Sequence, residues 1–203
     1  MHHNIYPNSL NTSINKLFLV LLALAGTFVS ACQNEEDRNK DEKFYFDLKS
    51  FVENQIVYLN DKKPIVSKTV GLDGKTVSNE SKDIDWKKEL ELFVQADLNK
   101  PSYRQSYMVE RKDSSTYEYR LKPNVDLPVT YLKIITDSSL HQPIYVKALF
   151  QSSNRIYKSE KTIELSCTRG DNIWELTSYS VNGYQQLIFM DRKTFDIKAN
   201  IGL

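Results

Sequence analysis

The sequence is short of the residues from which most catalytic and metal centres are built. Of 203 residues only two are cysteine (Cys32, Cys167) and three are histidine (His2, His3, His141). A zinc centre draws on several such ligands. A Cys–His dyad would need Cys167 and His141, and Cys167 falls on an apolar strand face, where a thiol is inert. Phosphate loops, dinucleotide fingerprints and nucleophile elbows are also missing. So is a calcium loop with acids at alternate positions around a glycine. Leu72-Asp73-Gly74-Lys75 and Arg169-Gly170-Asp171-Asn172 read as turns. Excess charge is lacking too. Against 26 Asp+Glu stand 27 Lys+Arg, of which only Lys16 precedes residue 32. A balanced remainder does not provide the basic stripe that nucleic acid requires. The longest apolar stretch, Leu17 to Ala31, has 15 residues, short of the roughly 20 that span a hydrocarbon core.

That stretch carries the clearest positive signal. It follows Lys16, opens with Leu17-Phe18-Leu19-Val20-Leu21-Leu22 and ends in small residues, the layout of a secretory signal. Its end, Val29-Ser30-Ala31-Cys32, resembles the lipobox of bacterial lipoproteins. The resemblance implies diacylglycerol on Cys32, cleavage after Ala31 and acylation of the new N-terminus. Each buried methylene is worth about 0.8 kcal/mol, and two or more chains anchor stably. Residues 33–43, QNEEDRNKDEK, hold no apolar side chain, so they read as a tether that cannot offset its ordering entropy. Stretched out, it reaches about 35 Å at roughly 3.3 Å per residue. Glu35, Glu36 and Asp37 are similar to the acidic cluster that marks surface-exported lipoproteins of the Bacteroidota; a plain acidic linker is the alternative. The chain as a whole resembles uncharacterised outer-membrane and surface lipoproteins of that group. The resemblance implies an outer-membrane location, anchored by lipid and facing the surface or the periplasm.

The expected division is therefore a signal over 1–31, an anchored acidic tether over 32–43 and one α+β domain over 44–203. Phe44, Leu48, Phe51, Val52, Ile56 and Leu59 recur at helical spacing, with Asp41 and Glu42 where a cap belongs and Pro64 as a stop. A hairpin follows, Ile65 to Leu72 and Lys75 onward, around the turn Asp73-Gly74. A second helix is expected from 84 to 98, carrying Ile84, Trp86, Leu90, Phe93 and Ala96. From Tyr103 the period becomes two, with strands near 103–111, 115–122, 129–137, 143–151, 155–168, 172–181, 184–191 and 194–201. The fold predicted is two N-terminal helices around a short hairpin, then an antiparallel meander of about seven or eight strands, with curvature into a half-barrel left open.

Reading Asn182-Gly183 as a two-residue turn pairs Val181 with Tyr184 and Leu176 with Phe189. That register predicts a core face of Ile163, Leu165, Cys167, Ile173, Tyr179, Val181, Ile188, Met190, Phe195, Ile197 and Ile201. Trp174, Leu176, Leu187 and Phe189 then cluster on the face opposite Cys167, a candidate binding patch unless a helix or strand covers it. Twelve Tyr, nine Phe and two Trp suit protein or sugar contacts as well as half-buried strands. The function expected is a non-enzymatic binding module for a protein or a glycan, with no cofactor and no nucleic-acid partner, held to the membrane by its lipid. The alternative is a carrier or chaperone of an apolar ligand such as lipid or lipoprotein, whose order of elements is similar to the periplasmic lipoprotein-carrier fold. Carboxylate pairs for glycoside hydrolysis depend on spacing in three dimensions, which the sequence does not give.

Overall fold

The structure, a computed structural model, describes residues 43–170 and 173–203. The predicted signal and tether, with Cys32, Glu35, Glu36 and Asp37, lie outside the described residues. Helix α1, Leu48–Lys62, starts where Asp47 accepts a hydrogen bond from the Ser50 backbone N–H, so the cap is Asp47 and not Asp41 or Glu42. It ends at Lys63, whose left-handed φ of 48° returns its N–H to the Leu59 carbonyl, and Pro64 blocks continuation. Its buried stripe is Leu48, Val52, Gln55 and Leu59. Phe44 precedes the helix, and Gln55 is the polar member that periodicity does not foresee.

The hairpin forms as expected, β1 Ile65–Leu72 and β2 Lys75–Ser81. Asp73 (φ 46°) and Gly74 (φ 81°) both sit at positive φ, as a type I′ turn demands. The second helix is broken into α2 Trp86–Glu89 and α3 Glu91–Gln95, with Leu90 at φ −99°, ψ 8° between them. At about 100° per residue, a straight helix would carry Leu98 about 120° away from Trp86. The break lets Trp86, Leu90, Phe93, Ala96 and Leu98 all be buried.

Beyond a 3₁₀ turn at Pro101–Tyr103 lie β3 Tyr107–Arg111, β4 Thr116–Leu121, β5 Val129–Thr136, β6 Pro143–Ser153, β7 Tyr157–Arg169, β8 Trp174–Leu187 and β9 Lys193–Gly202. Among the described residues nine strands make one open antiparallel sheet, ordered β2-β1-β9-β8-β7-β6-β5-β4-β3. The meander thus supplies seven strands, and the early hairpin joins the same sheet by pairing β1 with the last strand, β9. Asp73 fastens this join. Its carboxylate accepts from the Thr194 N–H at 2.9 Å and its own N–H donates to the Thr194 carbonyl at 3.1 Å. Lys193 Nζ lies 3.0 Å from the same carboxylate.

The Asn182-Gly183 turn does not occur. β8 runs straight through it, pairing Asn182 with Thr162 and Gly183 with Lys161, and the chain reverses instead at residues 188–192. Two of the predicted strands are therefore one. Gly183 serves close approach, because a Cβ there would sit 2.1 Å from the Glu160 carbonyl oxygen. Ile188 and Met190, expected in the core, are exposed at the reversal. Ile163, Leu165, Cys167, Tyr179, Val181 and Ile201 are buried as predicted, while Phe195 and Ile197 are partly buried against the core. Leu48 and Leu59 of α1, Leu90 of the break and Phe93 of α3 join the same core, each with no exposed surface. Phe93 meets Tyr179 edge-on at 6.2 Å, which fixes the helical layer to the centre of the sheet.

Candidate functional site

The four residues of the predicted patch are not brought together. Trp174 and Leu176 begin β8, whereas Leu187 ends it and Phe189 lies in the reversal beyond. Eleven residues at about 3.3 Å each put Leu176 and Leu187 about 36 Å apart along the strand. Nor does Leu176 lie on the face away from Cys167. A bulge at Thr177 lets two residues of β8 face one of β7, so register moves from Ser166–Ser178 to Cys167–Leu176. Leu176 thereby joins Cys167 on the core face, 1% exposed. Cys167 is buried there, and burial pushes its thiol up to about 12, so it stays protonated and inert at neutral pH.

Gln55 of α1 explains how the bulged end of β8 can be buried. β9 pairs with β8 only from Ser178 onward, leaving the first residues of β8 without a strand on that side. Gln55 takes that place. Its Oε1 accepts from the Leu176 N–H at 2.9 Å and its Nε2 donates to the Trp174 carbonyl at 2.8 Å. A second polar contact lies nearer the centre, where Glu89 of α2 accepts from the Tyr179 hydroxyl and pairs with Lys68 of β1. Asp97 and Asn99 hold the start of α1. Asp97 accepts from the Lys49 N–H at 3.2 Å, and Asn99 Oδ1 accepts from the Tyr45 N–H at 3.0 Å. These polar residues order the helical layer. Sequence periodicity passes over them because their polar neighbours in the chain look alike and only the fold supplies their partners.

The outer face, opposite the helices, is polar across its width. Register carries one row through all nine strands: Glu110, Glu118, Lys133, Lys147, Glu164, Ser180, Lys198, Thr69 and Ser78. Glu118 is buried beneath its partners, with Lys112 at 3.0 Å, Arg120 at 3.2 Å and Lys133 at 3.7 Å. The hydrogen bond from Lys112 holds its carboxyl below the usual range despite burial. Lys147 and Glu164 pair at 2.8 Å. Beside the row, Arg120 covers the Tyr131 ring at 4.7 Å. Burial, then the Glu164 charge, pushes the Tyr145 hydroxyl up to about 12. Half-buried tyrosines among paired charges present a flat ring and a polar tip at this surface.

A different surface closes the far end of β7 and β8. Leu187, Ile188, Phe189 and Met190 are consecutive and exposed, and Ile156 of the β6–β7 turn is exposed beside them; Phe189 is 95% accessible. The two turns are joined, since the Ile188 N–H donates to the Ile156 carbonyl at 3.0 Å. Between them lies a cleft of about 340 Å³ lined by residues 154–158 and 186–188. The sequence singles out Leu187 and Phe189 but places them on the sheet.

Among the described residues no group of three or more His, Cys, Asp or Glu could hold a metal ion, and no helix is long and apolar enough to cross a membrane. No protein-family model matches the chain, and no curated protein or solved structure matches it either.

Proposed function

We propose that the chain is an outer-membrane lipoprotein, anchored through Cys32, whose folded domain is a non-enzymatic module that binds a protein or a glycan. The observation that carries this reading is the division of the sheet into two unlike faces. One is filled by the helical layer, whose Leu48, Leu59, Leu90 and Phe93 expose nothing. The other carries a polar row across all nine strands, with Tyr131 and Tyr145 set among paired charges beside Leu149 and Ile135. Filling the core face with side chains supports the module over a carrier, which would hold its apolar cargo there. The lipobox-like Val29-Ser30-Ala31-Cys32 supports the anchor, and the run Glu35-Glu36-Asp37 supports display on the cell surface.

The test is photo-crosslinking in intact cells from a reactive residue at Lys147 or Tyr145, compared with the same residue at exposed Val57 of α1. One product shared by both outer-face sites and missing from Val57 is the expected result. Extraction of stoichiometric lipid or acyl chain from the folded domain, with no outer-face product, would transfer the proposal to the carrier. Replacing Cys32 with Ser checks the anchor separately, since the variant is expected to leave the membrane fraction.

A further inference from the structure

We infer that the turn joining β8 and β9 docks on an anionic lipid surface, with Ile188, Phe189 and Met190 entering the interface and Arg155, Lys158 and Arg192 meeting the headgroup phosphates. Four consecutive exposed apolar residues at a chain reversal are costly to leave in water, and a surface this apolar marks a contact site. Its shape and surroundings select the partner. A protein interface wants about 800 Å² from each side and few charges at its centre, whereas this is a single narrow turn. It is ringed by cations. Arg155, Lys158, Lys75, Arg192 and Lys193 lie around it, against the carboxylates of Asp73, Asp191 and Glu160, the last opposite Tyr184 and accepting from Gln151. Asp73 is already paired with Lys193. Arg192 lies over the Tyr184 ring at 3.9 Å, which sets its charge at the base of the apolar tip. An apolar tip above a cationic collar matches the layering of an anionic bilayer, where side chains enter about 5–10 Å and bases remain with the phosphates.

The tether permits this contact. The described chain begins at Lys43, and Tyr45 packs on Tyr107 of β3 and Tyr119 of β4. Register puts Tyr119 level with Val181 through Leu132, Ala148 and Ile163, eight residues short of Phe189, or about 26 Å along the strands at roughly 3.3 Å each. The tether's extended reach of about 35 Å exceeds that span. A lipid on Cys32 would then supply a high local concentration of bilayer, so the tip would need only weak affinity of its own. The inference stands apart from the outer-face partner and shares with that reading only the anchor, whose lipid is established first by the mass of the purified chain.

The experiment places an environment-sensitive fluorophore on Phe189→Cys in the full chain as purified and mixes it with vesicles of phosphatidylglycerol and phosphatidylethanolamine. A second labelled chain, Val57→Cys, reports the helical side. The expected result is a blue shift and at least a several-fold loss of iodide quenching at position 189 and none at 57. Neutral phosphatidylcholine vesicles, or replacement of Arg155, Lys158 and Arg192 with Gln, should abolish most of it. Salt near 1 M, where screening shortens to about 3 Å, should weaken it. Unchanged quenching on anionic vesicles would overturn the inference. Protection that rises with protein concentration before lipid is added would overturn it in favour of a second copy of the chain. The same labelled variant carrying Cys32→Ser, which has neither lipid nor thiol at position 32, is added to the same vesicles from solution, so loss of the anchor and loss of the docking remain distinct outcomes.

Discussion

The two ends of β8 carry similar side chains and meet opposite fates. At its start, Leu176 is 1% exposed and Trp174 is packed against the core; at its finish and beyond, Leu187 is half in water and Phe189 is 95% exposed. Hydrophobicity does not separate them. The start of the strand lies under α1, where Gln55 satisfies the backbone groups that β9 leaves open. Among the described residues no helix covers the finish, whose Leu187 to Met190 are exposed, and the Ile188 N–H bonds to the neighbouring turn at Ile156. Burial of an apolar strand end therefore depends on whether a polar partner can complete the edge. An apolar residue whose edge is completed by a turn stays at the surface, free for contact.

The comparison breaks most visibly on truncation. Phe93→Ala, which empties the helical layer against Tyr179, should cost about 3–5 kcal/mol in urea unfolding. Phe189→Ala should stay within about 0.5 kcal/mol. Equal costs would mean that the far turn is also core. Gln55→Leu keeps the bulk of the side chain but strands the Leu176 N–H and the Trp174 carbonyl, at about 1–3 kcal/mol for each group left buried and unpaired. Gln55→Glu, which can still accept from Leu176, should recover part of that loss.

The smallest effect belongs to the outer face and is read by pH. Glu118 is held ionised by Lys112, so its folded-state value lies below its unfolded one. Its contribution is complete above the ordinary glutamate value and is lost as pH falls through the depressed one. Unfolding measured from neutral into acid should show that decline, and Glu118→Gln should flatten it without moving the neutral-pH plateau of Phe93→Ala relative to its parent.

Much of the fold is legible where local chemistry and pattern agree. Asp73-Gly74 announces its turn because both positions need positive φ, and the α1 stripe from Leu48 to Leu59 needs only its cap moved to Asp47. The outer row and most of the inner face follow from alternation. Asn182-Gly183 misleads because an Asn-Gly pair serves a tight turn or, with a bare Cα, a strand whose neighbour comes close. The Glu160 carbonyl 2.1 Å from a Cβ at 183 decides for the second, and that contact spans strands. The bulge at Thr177 then reverses the parity of Leu176, so the right apolar residues are assembled into a patch that does not exist. The polar partners are hidden for a related reason, since Gln55 acts only through a strand 119 residues away.

One measurement tests the continuous β8, on which both the covered face and the exposed tip depend. With Cys32 replaced by Ser, the variant Phe189→Cys carries its own reference in Cys167, and maleimide labelling mapped by peptide mass reports the two remaining thiols together. The structure predicts that the thiol introduced at position 189 reacts at the rate of a free thiol while Cys167 labels only on unfolding, as its burial requires. Protection of position 189 to the level of Cys167 would contradict it, and would restore the register in which a turn at Asn182-Gly183 sets residue 189 against Leu176.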